Sequence, residues 1–247
     1  MTPRATQVPA YVLHVRAYGE TSQIVELFTP AAGRLGVLAK GARARRRHVA
    51  LQPFQPMLVS WSGRGELPVL TEWEATRLPF TPRGEALLGG FYLNELLLRL
   101  CRRHDADPAL FAAYGQALHD LVTDRCLSST LRRFDKALLG SLGVEPSWTH
   151  DGDGEAIRAD QWYRCAPQAP PRPIMGPGRG PWEVMGAALL ALEAERLAIP
   201  ADCRAAVNGL FRALIAEQLG GAPLRTRALW QAMHRAPAQP LPPQPEV

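Results

Sequence analysis

The sequence predicts an α+β protein, with a small five-stranded β-barrel at the N-terminus followed by an α-helical region that carries an irregular insertion. Three observations carry this reading. Residues 9–78 hold five short runs of β-formers separated by turn residues. Beyond residues 79–82, Pro-Phe-Thr-Pro, apolar residues recur at helical spacing. Between residues 27 and 65 there is no Asp or Glu, yet Arg34, Lys40, Arg43, Arg45, Arg46, Arg47 and Arg64 all fall in that stretch.

The strands are expected at residues 11–16, 24–28, 35–39, 57–61 and 68–74. Tyr18-Gly19-Glu20, residues 30–33 and the Gly-rich residues 62–65 supply turns between them. Five strands in about 70 residues fit an oligonucleotide/oligosaccharide-binding (OB) barrel, and the spacing equally allows an SH3-like barrel. The helical half opens at residues 85–103, where Leu87, Leu88, Phe91, Tyr92, Glu95, Leu96 and Arg99 mix at a period near 3.6. Asp107-Pro108 reads as an N-cap followed by Pro at the first helical position, opening a helix through Phe111, Tyr114, Leu118 and Leu121. Ser128 or Ser129 is expected to cap the next helix, which runs through Leu131, Phe134, Leu138 and Leu142 and stops at Gly143.

Residues 146–181 are rich in Gly, Pro and Asp, and read as an irregular insertion with one short ribbon near residues 161–164. Helices resume at residues 182–197, at 202–219 with Val207, Leu210, Phe211, Leu214 and Ile215 on one face, and at 226–234. The proline-rich residues 237–247 are expected to be a disordered tail. The domain organisation is therefore a barrel at 1–79, a helical domain at 80–236 with its insertion at 146–181, and the tail.

A chain of 247 residues that is 47% hydrophobic can bury a sizeable core. Cys101, Cys126, Cys165 and Cys203 are scattered, which suits a reducing compartment rather than a disulfide scaffold. The first residues lack the apolar core of a signal peptide, and no apolar run has membrane-spanning length. The expectation is a cytoplasmic protein with no membrane partner.

The net charge of +5 is modest, but the bases are concentrated near the N-terminus. A one-sign cluster on a rigid scaffold attracts a polyanion, and arginine forks grip phosphate and stack on bases. The densest run, Lys40-Gly41-Ala42-Arg43-Ala44-Arg45-Arg46-Arg47, is the primary candidate for DNA contact, with Arg16, Arg34 and Arg64 in support. The plain alternative is a solvated loop that protects an edge strand. Tyr11, Tyr18, Phe28, Phe54 and Trp61 belong to the expected barrel. Most aromatics in a barrel are core, and Tyr18 and Trp61, beside turns, are the ones positioned to stack on bases.

Other chemistries lack support. Counting from Asp151, an EF-hand loop needs Gly at position six and Glu at position twelve, where this chain has Ala156 and Trp162. Zinc ligands come in close pairs, whereas Cys165 stands alone and His150 has no partner of useful spacing. No phosphate-binding P-loop, G-x-S-x-G elbow or H-E-x-x-H motif occurs, so no catalytic residue, cofactor or enzymatic activity is expected. Arg132-Arg133-Phe134, with Lys136, puts basic residues beside an apolar strip. That arrangement suits an acidic, apolar-ended peptide, or is an ordinary amphipathic helix whose polar face is basic.

An ordered set of segments resembles the recombination protein O (RecO) family. They are Val12-Leu13-His14, Tyr18-Gly19-Glu20-Thr21-Ser22, Phe28-Thr29 with Gly33-Arg34, Ala39-Lys40-Gly41-Ala42-Arg43 and Leu51-Gln52-Pro53-Phe54. The helical half adds Tyr92-Leu93-Asn94-Glu95-Leu96, Leu131-Arg132-Arg133-Phe134, Leu138-Leu139-Gly140 with Leu142-Gly143, and the run Gly220-Gly221-Ala222-Pro223-Leu224-Arg225-Thr226-Arg227. The resemblance implies an OB barrel with a helical C-terminal domain. It implies binding to single- and double-stranded DNA, annealing of complementary strands, and partnership with RecR in loading RecA onto strands coated by single-strand binding protein, with RecF a further partner. It also implies that the helical domain binds the acidic C-terminal tail of that coating protein, which gives weight to Arg132 and Arg133 with Phe134 as pocket support. Many members carry a four-cysteine zinc module where this chain has only Cys165 between residues 146 and 181, so the insertion is expected to be zinc-less. An RNA-binding barrel, or an adaptor whose basic loop holds an acidic protein, remains the alternative.

Overall fold

The computed structural model describes residues 4–44, 50–63, 65–123, 126–167, 169–178, 180, 182–194 and 199–235. Arg45, Arg46, Arg47 and Arg64 of the expected DNA contacts, and the expected tail at 237–247, lie outside the described residues.

The barrel forms from β1 (Arg4–Tyr18), β2 (Ser22–Thr29), β3 (Gly33–Ala39), β4 (Pro56–Ser62) and β5 (Val69–Ala75). It is closed in the order β1-β2-β3-β5-β4, and β1 also pairs with β4. Alternation explains the closure. Ala10 and Val12 of β1, Val25 and Leu27 of β2, Leu35 and Val37 of β3, Met57 and Val59 of β4, and Leu70 and Trp73 of β5 fill the interior. β3 and β5 meet in parallel at Leu38 and Val69, and the Leu38 N–H donates to the Pro68 carbonyl (2.9 Å).

Three helices follow: α1 (Gly84–Leu100), α2 (Pro108–Val122) and α3 (Leu127–Ser141). Asp107 caps α2 as the sequence predicts, accepting from the Leu110 N–H at 2.8 Å. The expected serine cap of α3 is corrected. Cys126 occupies the N-cap, and Ser128 and Ser129 lie inside the helix. α3 ends at Ser141, just before Gly143, whose φ is +70°.

The insertion is more ordered than the sequence predicts. β6 (Trp162–Ala166), β7 (Ala169–Ile174) and β8 (Glu183–Met185) form an antiparallel sheet in the order β7-β6-β8. The proline-dense run supplies β7, an edge strand, where prolines that lack an N–H are tolerated. The helix expected from residue 182 begins later. β8 takes residues 183–185, leaving α4 as Gly186–Glu193. A 3-10 turn at Ala201–Cys203 leads into α5 (Arg204–Gln218), and α6 (Arg225–Arg235) lies along α1. The Glu95 carboxylate of α1 caps α6 by accepting from the backbone N–H groups of Arg225 (2.8 Å) and Thr226 (2.9 Å). Burial pushes the Glu95 pKa up, but those bonds, the Thr226 hydroxyl and Arg99 outweigh it and hold the carboxyl below its ordinary value.

The outer face of the barrel shares a second core with the helices. The outer face of β1 carries Tyr11 and Leu13, which join Phe28, Phe54, Leu93, Leu97, Tyr114 and Leu118. The β1–β2 register shifts between Val12 and His14. Beside that bulge, Asn94 of α1 donates to the Leu13 carbonyl (2.8 Å) and accepts from the Tyr114 hydroxyl (2.6 Å). Close approach needs small residues. A Cβ at Gly90 would come within 2.9 Å of the Phe54 ring, and one at Gly115 within 2.6 Å of the Tyr11 hydroxyl.

A second clamp covers the start of β3, which β5 pairs only at Leu38. Arg103 forms isolated bridges with Gly33 and Arg34, and the His104 N–H donates to the Arg34 carbonyl (3.0 Å). The Arg103 guanidinium lies over Gly36, bonds Glu26 of β2 and reaches the Glu66 carbonyl (3.4 Å). Gly33 has φ +58°, and a Cβ there would sit 1.8 Å from the Asp105 carbonyl oxygen. Gly33→Ala therefore forces residues 101–105 off the barrel, with a predicted loss of at least about 2 kcal/mol in urea unfolding. Gly143→Ala has a positive φ but open space around it, so its loss is predicted to stay near 1 kcal/mol, roughly the left-handed backbone penalty alone.

Candidate nucleic-acid interface

The two halves of β1 do different work. Its middle packs against helices, with Leu13 buried and Tyr11 half-buried, whereas His14, Arg16 and Tyr18 beyond the bulge are exposed. The β1–β2 hairpin thus extends past the helical core and ends in the turn at residues 19–21.

The start of the basic run folds back onto this tip. Backbone N–H groups make two of the contacts, with Gly41 donating to the Ser22 hydroxyl (3.3 Å) and Arg43 to the Thr21 carbonyl (2.9 Å). The Arg43 guanidinium donates to the Gly19 carbonyl (3.4 Å), and the Ala44 N–H closes the turn on the Gly41 carbonyl (3.1 Å). Lys40 and Arg43 are exposed there, at the same end as Arg16. Arg43 keeps donors to spare, since its guanidinium carries five N–H groups and one carbonyl uses only one.

Arg34 sits differently. It is largely buried beside Glu26, with a closest N–O distance of 3.9 Å, too long for a hydrogen bond. Glu26 instead bonds Arg103, so Arg34 belongs to the clamp between the barrel and residues 101–105.

Charge is polarised. Residues 1–79 hold ten Lys and Arg against five Asp and Glu, which accounts for the whole net charge of +5, and the rest of the chain balances at eighteen of each. Within the barrel, Glu72 and Glu74 are exposed on β5, across the barrel from β2, so a polyanion is favoured at the hairpin tip and repelled from β5.

On α3, four consecutive side chains meet four different neighbours. Arg132 is buried, bonding Asn208 of α5 and the Ser129 hydroxyl (3.4 Å). Arg133 turns toward α2 and donates to the buried Asp120 carboxylate (2.7 Å). Phe134 is core. Asp135 accepts from the Tyr92 hydroxyl of α1 (2.9 Å). A groove of about 660 Å³ runs between α2 and α3. Ala109, Ala113, Phe134, Ala137 and Gly140 line it, with Arg133 and Lys136 among its polar groups. Lys136 pairs there with Glu145 (3.1 Å). The structure thus brings Arg133 and Phe134 to one groove and sets Arg132 against α5.

No group of three or more His, Cys, Asp or Glu among the described residues could hold a metal ion. Structural zinc takes four ligands, and Cys165 and Cys203 belong to no such group, so the residues present do not fit a zinc site. Packing holds the insertion instead. Trp148 and Tyr163 are buried, the Tyr163 hydroxyl accepts from the Arg158 N–H (2.9 Å), and a Cβ at Gly186 would sit 2.0 Å from the Arg158 carbonyl oxygen. No helix among the described residues is long and apolar enough to cross a membrane.

Burial pushes the Asp135 pKa up to about 7, against the lowering effects of the Tyr92 hydrogen bond and Arg132. An unfolded Asp ionises near about pH 4. Between these values the folded protein retains a proton that the unfolded chain has lost, so this group's contribution to stability falls as pH rises through that window and is flat above it. Asp135→Asn cannot ionise and keeps an acceptor for Tyr92. Its stability relative to the original protein is predicted to rise between pH 4 and pH 7, and urea unfolding at both ends of the window checks this. Parallel curves would contradict it.

Comparison with known proteins gives a consistent result. Residues 1–79 match the family described as Recombination protein O N terminal, and residues 82–228 match Recombination protein O C terminal. A DNA repair protein RecO from Nitrosococcus oceani is 41% identical over 235 residues, covering 94% of this chain and 95% of the relative. The Methylococcus capsulatus DNA repair protein RecO is 42% identical over 226 residues, covering 90% and 92%. That of Chromobacterium violaceum is 38% identical over 238 residues, covering 93% and 96%.

Proposed function

Because the chain belongs to the RecO family of DNA repair proteins, we propose that it is a non-enzymatic recombination mediator that grips DNA at the hairpin end of its barrel. The observation that carries this reading is the basic turn hydrogen-bonded onto the hairpin tip, in the N-terminal segment, residues 1–79, that holds all the excess positive charge. Lys40, Arg43 and Arg16 are the phosphate contacts, with Arg45, Arg46, Arg47 and Arg64 extending the set. Phosphate contacts carry no base code, so single and double strands are both bound with little sequence preference. Neutralised phosphates let complementary strands approach without full repulsion, which accounts for annealing.

The α2–α3 groove is the second site. Its apolar floor receives the apolar end of the acidic C-terminal tail of single-strand binding protein, and Arg133 and Lys136 exchange their present partners, Asp120 and Glu145, for the tail's carboxylates. Arg132 supports that site by fixing α3 against α5. Together with RecR, the protein then helps load RecA onto coated strands. No step requires a metal or nucleotide cofactor.

Replacing Lys40 and Arg43 with Gln is predicted to weaken single-strand binding roughly tenfold at moderate salt. It should also flatten the log K against log salt slope by about 1.4, or roughly 0.7 per lost phosphate contact. Annealing of strands pre-coated with the cognate coating protein tests the whole reading. Removing that protein's acidic tail should abolish annealing of the coated strands, and Arg133→Ala with Lys136→Ala should reproduce the loss. Unchanged annealing in both cases would sink the groove assignment.

A further inference from the structure

Among the described barrel residues, Tyr18 is the one exposed aromatic. Its relative exposure is 53%, while Phe28, Phe54 and Trp73 are buried and Tyr11 and Trp61 are packed against the cores. It ends β1, pairs across the ladder with Ser22, and stands beside the turn on which the basic segment is docked. The Arg43 guanidinium bonds the carbonyl of Gly19, the very next residue. Arg16, two residues back, is exposed on the same side of the strand by alternation. Glu20 is the one carboxylate at this tip, and Arg16, Lys40 and Arg43 leave it net positive.

Hydrogen bonds brace the position on both sides. The hairpin is laddered to its last pair, and the basic turn braces it through Ser22 and Thr21. A planar phenol ring fixed among exposed cations combines a stacking surface with phosphate donors, the two components of single-strand recognition. The bland reading is a β-forming residue that happens to end a strand.

From this geometry we infer that Tyr18 is a base-stacking platform that recognises unpaired nucleobases, with Arg43 and Arg16 holding the flanking phosphates. The inference rests on the DNA-binding reading above and adds a distinction between substrates. A phosphate contact serves single and double strands alike. A stacking face serves only a base whose own faces are free, because in a duplex both are covered by neighbouring pairs. Tyr18 therefore biases a general DNA grip toward single strands.

The test compares binding of a fluorescent oligo-dT strand and a fully paired linear duplex by the full chain, using Tyr18→Ala, Tyr18→Phe and the Lys40→Gln, Arg43→Gln double variant. Tyr18→Ala should weaken single-strand binding roughly tenfold with an unchanged salt slope, while duplex binding stays within about twofold. Tyr18→Phe keeps the ring and should bind as the original does. The charge variant should weaken both substrates and lower the salt slope. If Tyr18→Ala leaves single-strand binding intact, or weakens both substrates equally, the stacking role is overturned while the DNA grip stands. If Tyr18→Phe loses as much as Tyr18→Ala, the hydroxyl rather than the ring matters, which also overturns it. If the charge variant binds both substrates normally, the DNA-binding reading itself fails.

Discussion

One strand, β1, belongs to two hydrophobic cores, and the rest of the architecture depends on how it divides between them. Ala10 and Val12 point into the barrel, and Tyr11 and Leu13 point out into the helices. The register shift beside Leu13 is bridged by Asn94, whose amide donates to the Leu13 carbonyl and accepts from Tyr114. Buried polar groups without partners are costly, so this bridge fixes α1 and α2 on the barrel with little freedom to slide. The Arg103 segment adds a second attachment, through contacts to β2, β3 and the β4–β5 loop. What remains of β1 past the bulge projects from a body held by these two attachments.

That division explains why a modest net charge can act locally. The basic turn after β3 is bound to the tip of the projecting hairpin by hydrogen bonds to Thr21, Ser22 and Gly19. Cations on a braced tip lose less conformational freedom on meeting phosphate than cations on a loose loop. The acidic side chains of β5 sit across the barrel, which orients an approaching strand. The α2–α3 groove belongs to the helical half, so grip and recruitment occupy separate elements of one rigid unit.

Much of this was legible in the residues. Alternation along the five strands gave the barrel, and Asp107-Pro108 gave the start of α2. The acid-free stretch marked the basic turn because charge survives in sequence without any knowledge of packing. Three things were hidden, each because the deciding partner is distant in the chain. Gly33 reads as an ordinary turn residue, yet its missing Cβ makes room for Asp105. The prolines of β7 argue against a strand until that strand is known to be an edge. Arg132 and Arg133 look equivalent in sequence, but one faces Asn208 of α5 and the other Asp120 of α2. Successive helical residues point about 100° apart, and only the neighbouring helices decide which direction is buried.

Hydrogen–deuterium exchange with and without a saturating single strand locates the DNA grip on the intact protein without altering a residue. New protection is expected at residues 14–24 and 39–44, with residues 69–75 of β5 unchanged. Protection centred on β5 or on the α2–α3 groove, with the hairpin tip unaffected, would contradict it.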